Sequence, residues 1–92
     1  MAYQIRVGKR VRKEMARLPR QDQARVIAAI KSLGQEPRPP GCRPVKGAEK
    51  GTYRVRVGDY QVVYVVLDSE QTVVVARVTR RSESTYRGLG GP

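Results

Sequence analysis

Two arginines, Arg54 and Arg56, lie one residue apart in a segment that alternates charged and apolar side chains. Residues i and i+2 of a strand lie on the same face of a sheet, so both guanidinium groups face the same way. A guanidinium is always charged and presents its donors as a fork that matches phosphate oxygens. The spacing predicts a phosphate-binding pair. An ordinary solvent-facing strand gives the same alternation, so the pattern alone leaves both interpretations open.

A short loop fixes how this strand pairs with the next one. Gly58-Asp59 fits a two-residue hairpin loop, with glycine at the position that needs a positive φ. The resulting register places Gln61 opposite Arg56, so Gln61 joins the cationic face. The other face is apolar and is predicted to be core; it carries Tyr53, Val55, Val57, Tyr60, Val62 and Tyr64.

The last strand adds two arginines that are candidates for binding a polyanion. A four-residue loop over 68–71 predicts that Gln61 pairs with Val78. In that register Arg80 shares the face of the hairpin arginines, at the end of the strand. Arg77 points to the other face, near its margin. Arg80, like Arg81 after it, could instead be a solvated residue at a strand end.

Further candidates lie in a loop and after the last strand. Tyr86 stands in a polar stretch near Arg81 and Arg87, where an exposed tyrosine is suited to stacking on a nucleobase. The alternative is a hydrophobic anchor that holds the C-terminal stretch against the sheet. Lys46 is predicted on a loop, where it could make diffuse phosphate contacts.

Composition restricts the chemistry. The chain has 19 Lys and Arg against 8 Asp and Glu, a net charge of +11, which favours nucleic acid or an acidic protein as partner. With no histidine and one cysteine, histidine-based catalysis is excluded and a zinc site is not expected. We expect no metal and no cofactor. The lone cysteine fits a reducing cytoplasm, and neither a signal peptide nor a membrane span is expected.

The elements that position these residues are predicted to form a single domain. Apolar periodicity and turn residues predict strands over 3–7, 53–57, 60–67 and 72–80, a short edge strand within 42–46, and helices over 9–18 and 21–33. This order, β-α-α-β-β-β, predicts an α+β fold. An antiparallel-dominated sheet of about four strands would carry a helical hairpin on one face. The glycine-rich tail, 88–92, is predicted to be flexible.

Several segments together resemble the RelE/ParE superfamily of bacterial toxins from type II toxin–antitoxin pairs. The resemblance covers nearly the whole chain and implies one toxin domain over 1–87. Its most specific element is Tyr-Arg, then Gly-Asp-Tyr, then a Val-Val-Tyr strand within 53–64. The other segments that carry it are Pro44-Val45-Lys46-Gly47, Val78-Thr79-Arg80-Arg81-Ser82-Glu83 and Tyr86-Arg87.

The resemblance implies a ribosome-dependent endoribonuclease that cuts messenger RNA in the ribosomal A site by attack of a 2′-OH on the adjacent phosphate. Arg54 and Arg56 match positions where such toxins place two basic side chains, commonly lysine. Arg81 matches an arginine just after the last strand, and Tyr86 a C-terminal tyrosine. These four residues are implied to be catalytic. The further candidates for RNA contact are Lys46, Gln61, Arg77, Arg80 and Arg87. The implied partners are a cognate antitoxin, the ribosome and messenger RNA.

Two departures from the family pattern bear on the chemistry. Gln61 stands where an arginine is usual, which removes one cation from the site. Arginine in place of lysine also removes a potential general base, because an arginine with a pKa above about 12 is a poor base. The toxin could be slower, the base could be Glu83 or Glu49, or proton transfer could rely on the ribosome and the substrate.

The superfamily leaves two other functions open. A ParE-like inhibitor of DNA gyrase has the same fold, a protein target and no nuclease chemistry; Gln61 and the missing lysines keep it as an alternative. The cluster of Arg81 and Tyr86 weighs against it. The second of these other functions is that of a degenerate toxin, which only binds RNA or the antitoxin.

Overall fold

A computed structural model describes residues 2–80 of the chain. Its elements are β1 (Gln4–Val7), α1 (Lys9–Ala16), α2 (Arg20–Leu33), β2 (Arg43–Pro44), β3 (Thr52–Val57), β4 (Tyr60–Leu67) and β5 (Thr72–Arg80), with a 3₁₀ turn at Asp68–Glu70. The predictions made for Arg81, Tyr86, Arg87 and the tail 88–92 lie outside the described residues.

One five-stranded sheet has the strand order β1-β5-β4-β3-β2. β1 pairs with β5 in parallel, and the other three pairings are antiparallel. The predicted α+β fold with two helices on an antiparallel-dominated sheet is confirmed. The fifth strand is β2, the short edge strand expected within 42–46.

The hydrophobic core lies between the helices and one face of the sheet. From the helices come Val11 of α1 and Val26, Ile30 and Leu33 of α2, all at most 5% exposed. They face the apolar side of β4 and β5, which contributes Tyr60, Val62, Tyr64, Val66, Val73, Val75 and Val78. Burial of this apolar face fixes which side of each strand points away from the helices.

The β3–β4 hairpin has the register that its loop predicts. Gly58 has a φ of 59°, in the region that favours glycine. Arg56 pairs with Gln61, and Arg54 pairs with Val63. The predicted pairing is confirmed, and with it the placement of Arg54, Arg56 and Gln61 on the face opposite the core.

The predicted β4–β5 register is wrong at the end that contains Gln61, because a β-bulge shifts the pairing. Val63 pairs with Arg77 but Tyr64 pairs with Val75, so one residue of β5, Ala76, has no partner. The shift sets Gln61 opposite Thr79 and not opposite Val78.

Both predictions for the β5 arginines are consequently wrong. Arg77 pairs with Val63, the partner of Arg54, so it starts from the face of the hairpin arginines and not from the other one. Arg80, in contrast, does not share that face. It pairs with Tyr60, a core residue, and its guanidinium carbon lies 5.8 Å from the centre of the Tyr60 ring. This contact is a cation–π interaction.

Glu14 of α1 covers the part of β5 that β1 leaves unpaired. β1 ends at Val7, opposite Val75. Beyond that point Val78 donates its backbone N–H to Glu14 Oε1 at 2.8 Å, and Arg77 Nε donates to Glu14 Oε2 at 2.7 Å. One carboxylate thus satisfies a strand-edge donor and joins α1 to the sheet.

Replacing Glu14 with alanine should destabilise the fold. The N–H of buried Val78 loses its acceptor, and an unsatisfied buried donor costs about 1–3 kcal/mol. Urea unfolding followed by circular dichroism measures the loss. Glu36→Ala, which removes an exposed carboxylate, is the matched control and should change stability little. Equal effects of the two substitutions would contradict the bridging role of Glu14.

Candidate functional site

Three arginines lie close together on the face of the sheet that the helices leave uncovered. Arg54 and Arg56 are the predicted pair on β3. Arg43 of β2 pairs with Arg54 across the strands, and directly paired residues lie on the same face. We call Arg43, Arg54 and Arg56 the arginine face.

A cleft of about 230 Å³ opens between these side chains. Within the described part of the chain, its lining consists of Gly41 and the three arginines. Arginine keeps its charge at any physiological pH, so the cleft concentrates three positive charges and has no carboxylate among those lining residues. Such a concave surface attracts polyanions and offers fork-shaped donors to phosphate oxygens.

Gln61 is a buried support for this surface. Only 5% of Gln61 is exposed, and its Oε1 accepts a hydrogen bond of 3.4 Å from Arg54 Nη1. A neutral amide beside a guanidinium orients it without neutralising its charge. Gln61 therefore positions Arg54, a role that the sequence did not indicate.

The other candidate cations lie away from the arginine face. Lys46 is exposed in the loop between β2 and β3 and does not line the cleft. Arg77 and Arg80 line a separate opening of about 490 Å³ beside α1, together with Glu14 and Arg17. The structure therefore brings Arg54, Arg56 and Gln61 together. Arg80 lies on the face of Tyr60, and the side chain of Arg77, which starts from the face of the hairpin arginines, is held by Glu14 of α1. RNA contacts by Lys46, Arg77 and Arg80 remain predictions, as do the roles of Arg81, Tyr86 and Arg87.

Arg43 is the cationic residue that sequence reasoning missed. A strand of two residues has no alternating pattern from which to read a face. Its position is set by backbone pairing, Arg43 with Arg54 and Pro44 with Tyr53. The expected edge strand within 42–46 was the only signal, and it did not reveal which side chain would face the arginines.

Two tyrosines of β4, Tyr60 and Tyr64, belong to the opposite face and act as hydrogen-bond donors. The Tyr60 hydroxyl donates to Asp22 Oδ2 at 2.9 Å, and the Tyr64 hydroxyl to the carbonyl of Pro37 at 2.8 Å. The hydrogen bond to Asp22 raises the pKa of Tyr60, and burial raises the pKa of Tyr64. Both phenols therefore stay protonated at neutral pH, so neither is suited to act as a general base.

A polar cluster ties the loop after α2 to the sheet. Arg38 Nη2 donates to Asp68 Oδ2 at 2.7 Å, and the Tyr3 hydroxyl donates to Asp68 Oδ1 at 2.6 Å. Arg38 Nε also donates to the Tyr53 hydroxyl at 3.1 Å, and its guanidinium lies over the Tyr53 ring. The hydrogen bonds from Arg38 and Tyr3 lower the pKa of Asp68.

Two further observations concern ligands and membranes. Among residues 2–80, no group of three or more His, Cys, Asp or Glu side chains is placed to hold a metal ion. None of the helices in that range has the length and apolarity needed to cross a membrane.

Known proteins are similar to this chain in both sequence and fold. Residues 5–85 match the family described as ParE toxin of the type II toxin–antitoxin system, parDE. The chain is 30% identical over 90 residues to putative toxin RelE1 of Methanocaldococcus jannaschii, covering 95% of this chain and 98% of that protein. It is 32% identical over 84 residues to toxin RelG of Mycobacterium tuberculosis, covering 90% and 95%.

A solved structure extends the likeness to three dimensions. The archaeal RelE–RelB complex of Pyrococcus horikoshii contains a chain that aligns with a TM-score of 0.79 and 26% identity, over 91% of this chain and 100% of that one. The fold and these matches define a toxin of a type II toxin–antitoxin system. The chain belongs to the RelE/ParE superfamily and is a RelE-like toxin.

The Asp68 cluster predicts a stability that falls at acid pH. A carboxyl whose folded pKa is lowered stabilises the fold above its unfolded pKa of about 3.9, and this contribution is lost as the pH falls through the folded value. Asp68→Asn should therefore lose less stability than the wild type between about pH 5 and pH 2. Urea unfolding at several pH values tests this, with exposed Asp59→Asn as control. Parallel profiles for wild type and Asp68→Asn would contradict it.

Proposed function

We propose that this toxin is a ribosome-dependent endoribonuclease that cleaves messenger RNA in the A site. The observation that supports it most is the cleft of the arginine face, where strands β2 and β3 gather three permanent cations around an open space. A pocket of this charge and shape suits the phosphate at which an RNA strand is cut.

The reaction that fits this surface is an intramolecular transfer. The ribose 2′-OH attacks the adjacent phosphorus, and the bond from phosphorus to the 5′-oxygen breaks. The products are a 2′,3′-cyclic phosphate and a 5′-hydroxyl end. Negative charge grows on the phosphate oxygens in the transition state, and Arg54 and Arg56 stabilise it through fixed donors.

Proton transfer must come from groups other than these arginines, because a guanidinium does not give up its proton at neutral pH. Glu49 is exposed in the loop between β2 and β3 and does not line the cleft, so the geometry gives it no support as the base. Glu83, the ribosome and the substrate itself are the sources that we propose. Arg81 and Tyr86 remain the proposed phosphate and base contacts after β5.

A cognate antitoxin is the proposed partner in the resting state. The P. horikoshii relative is a RelE protein in complex with RelB. A net charge of +11 favours an acidic or amphipathic segment that wraps around the toxin and covers the arginine face.

Inhibition of DNA gyrase is the second candidate. It is favoured by the family match, which is to ParE toxins, and by neutral Gln61 on the face that carries the cations. A gyrase inhibitor would use the same fold to bind a protein and would leave messenger RNA intact.

Mapping of RNA ends in a purified translation system tests the proposal. Ribosomes are stalled at a known codon, toxin is added, and new 5′ ends are located by primer extension, with ribosome-free message as control. We expect a new end inside the A-site codon only when ribosomes are present. Intact message together with inhibited supercoiling by purified gyrase would instead favour the second candidate.

Arginine substitutions test which groups support the cleavage step. Arg54→Ala and Arg56→Ala should each lower the cleavage rate by on the order of 10²-fold, because each removes a donor that stabilises the transition state. Single-turnover cleavage of the stalled-ribosome message measures the rate. Wild-type rates for both variants would contradict a role of the arginine face in the chemistry.

Gln61→Leu tests the support of Arg54 separately. It keeps the approximate volume of the side chain and removes the acceptor of the Arg54 hydrogen bond, so cleavage should slow by about five- to tenfold. Gln4→Leu is the matched control, because Gln4 is exposed on β1, at the other edge of the same sheet. If the two leucine variants cleave equally fast, Gln61 does not position Arg54.

A further inference from the structure

We propose that Arg43 is a third phosphate-binding residue and that the RNA phosphate is held between β2 and β3. This inference rests on the proposed RNA-cleaving function and adds to it a residue and a location. The ligand class is a phosphodiester of single-stranded RNA. The first observation is that Arg43 lines the same cleft as Arg54 and Arg56.

The backbone of β2 holds Arg43 in place. Arg43 and Pro44 pair with Arg54 and Tyr53, and the N–H of Val45 donates to the carbonyl of Thr52 at 3.0 Å. Antiparallel partners have Cα atoms about 4.5–5.5 Å apart, so the side chains of Arg43 and Arg54 start from adjacent points on one face.

The turn before β2 shapes the near wall of the cleft. Gly41 has a φ of 93°, which glycine adopts without strain and other residues rarely adopt. A Cβ at this position would meet nothing within 4 Å, so the turn and not crowding requires glycine. Cys42 donates its N–H to the carbonyl of Pro39 at 3.1 Å and closes the turn. Beside Arg43 the cleft is therefore lined by the backbone of Gly41, which has no side chain to block a ligand.

The charge arrangement points to an anionic ligand. Like charges in directly paired positions, as in Arg43 and Arg54, disfavour the sheet. Some arginines elsewhere have a carboxylate partner, such as Arg38 with Asp68 and Arg77 with Glu14. Within residues 2–80, no hydrogen bond or ion pair involves the side chain of Arg43. A phosphate between Arg43 and Arg54 would relieve their repulsion.

The position of the neutral side chain of Gln61 indicates where on this face the phosphate binds. Gln61 lies on β4, on one side of β3, and Arg43 lies on β2, on the other side. The three positive charges of the cleft therefore lie on β2 and β3. A phosphate bound there contacts side chains from two strands whose pairing is fixed.

Arg43→Ala is the direct test, with Arg6→Ala as its matched control. Arg6 is exposed and pairs with Val74, and Val74 pairs with Val65 on the face opposite the core. Both variants lose one positive charge from the same face. Arg6 lies at the other edge, four strand spacings or about 19 Å from β2, beyond the screening length of about 8 Å at physiological salt.

The probe is a 2′-O-methyl RNA tetranucleotide, which cannot be cleaved by 2′-OH attack, so binding is measured apart from chemistry. NMR titrations of the wild type and variants at 50 to 200 mM salt give affinities and their salt dependence. We expect Arg43→Ala to weaken binding by about three- to tenfold and to reduce the slope of log affinity against log salt by about 0.7. Arg6→Ala should change the affinity by less than about twofold, given the screening at that distance.

Arg43→Lys separates charge from geometry. Lysine keeps the charge but not the fork, so the salt slope should return while the affinity recovers only in part. Equal behaviour of Arg43→Ala and Arg6→Ala, or no binding by the wild type, would overturn the inference. If the message stays intact in the translation assay while Arg43→Ala still weakens tetranucleotide binding, the proposed function fails and the phosphate site stands. If the message is cleaved while Arg43→Ala binds the tetranucleotide as tightly as the wild type, the proposed function stands and the phosphate site at Arg43 fails.

Discussion

The pairing of β3 with β4 is the constraint on which the rest of the structure depends. The loop at Gly58 sets the register, and the alternation of side chains then sends tyrosines and valines to the core and arginines to the opposite face. A shift of one residue would exchange the two faces. It would bury guanidinium groups against α2 and expose the tyrosines, so the stability of the core also secures the functional surface.

The two helices stabilise this arrangement from one side only. α2 supplies most of the helical core residues, and α1 adds Val11 and the carboxylate of Glu14, which satisfies the edge of β5 beyond the end of β1. Because both helices pack on the tyrosine side, no described helix covers the arginine face. The helices that stabilise the fold and the arginines that carry the charge therefore lie on opposite faces of the sheet.

The sequence predicts the parts of this structure that local chemistry determines. A two-residue loop allows one register, so the hairpin and the position of Arg54 were predictable. The bulge at Ala76 was not, because the extra residue has no local signature, and it changes the face of Arg80. Arg43 could not be assigned because a two-residue strand has no period. The buried amide of Gln61 looked like a lost cation, and only the structure reveals its hydrogen bond to Arg54.

The proposed RNA-binding role of the sheet requires that its face away from the helices touches the message. Photo-crosslinking tests it most directly, with a benzophenone amino acid placed at Val63, half-buried beside Arg54, or at Ile27, exposed on α2. Each variant is bound to ribosomes stalled on a labelled message and irradiated. We expect crosslinks to the A-site codon from position 63 and none from position 27. Crosslinks to that codon from position 27 alone would contradict it.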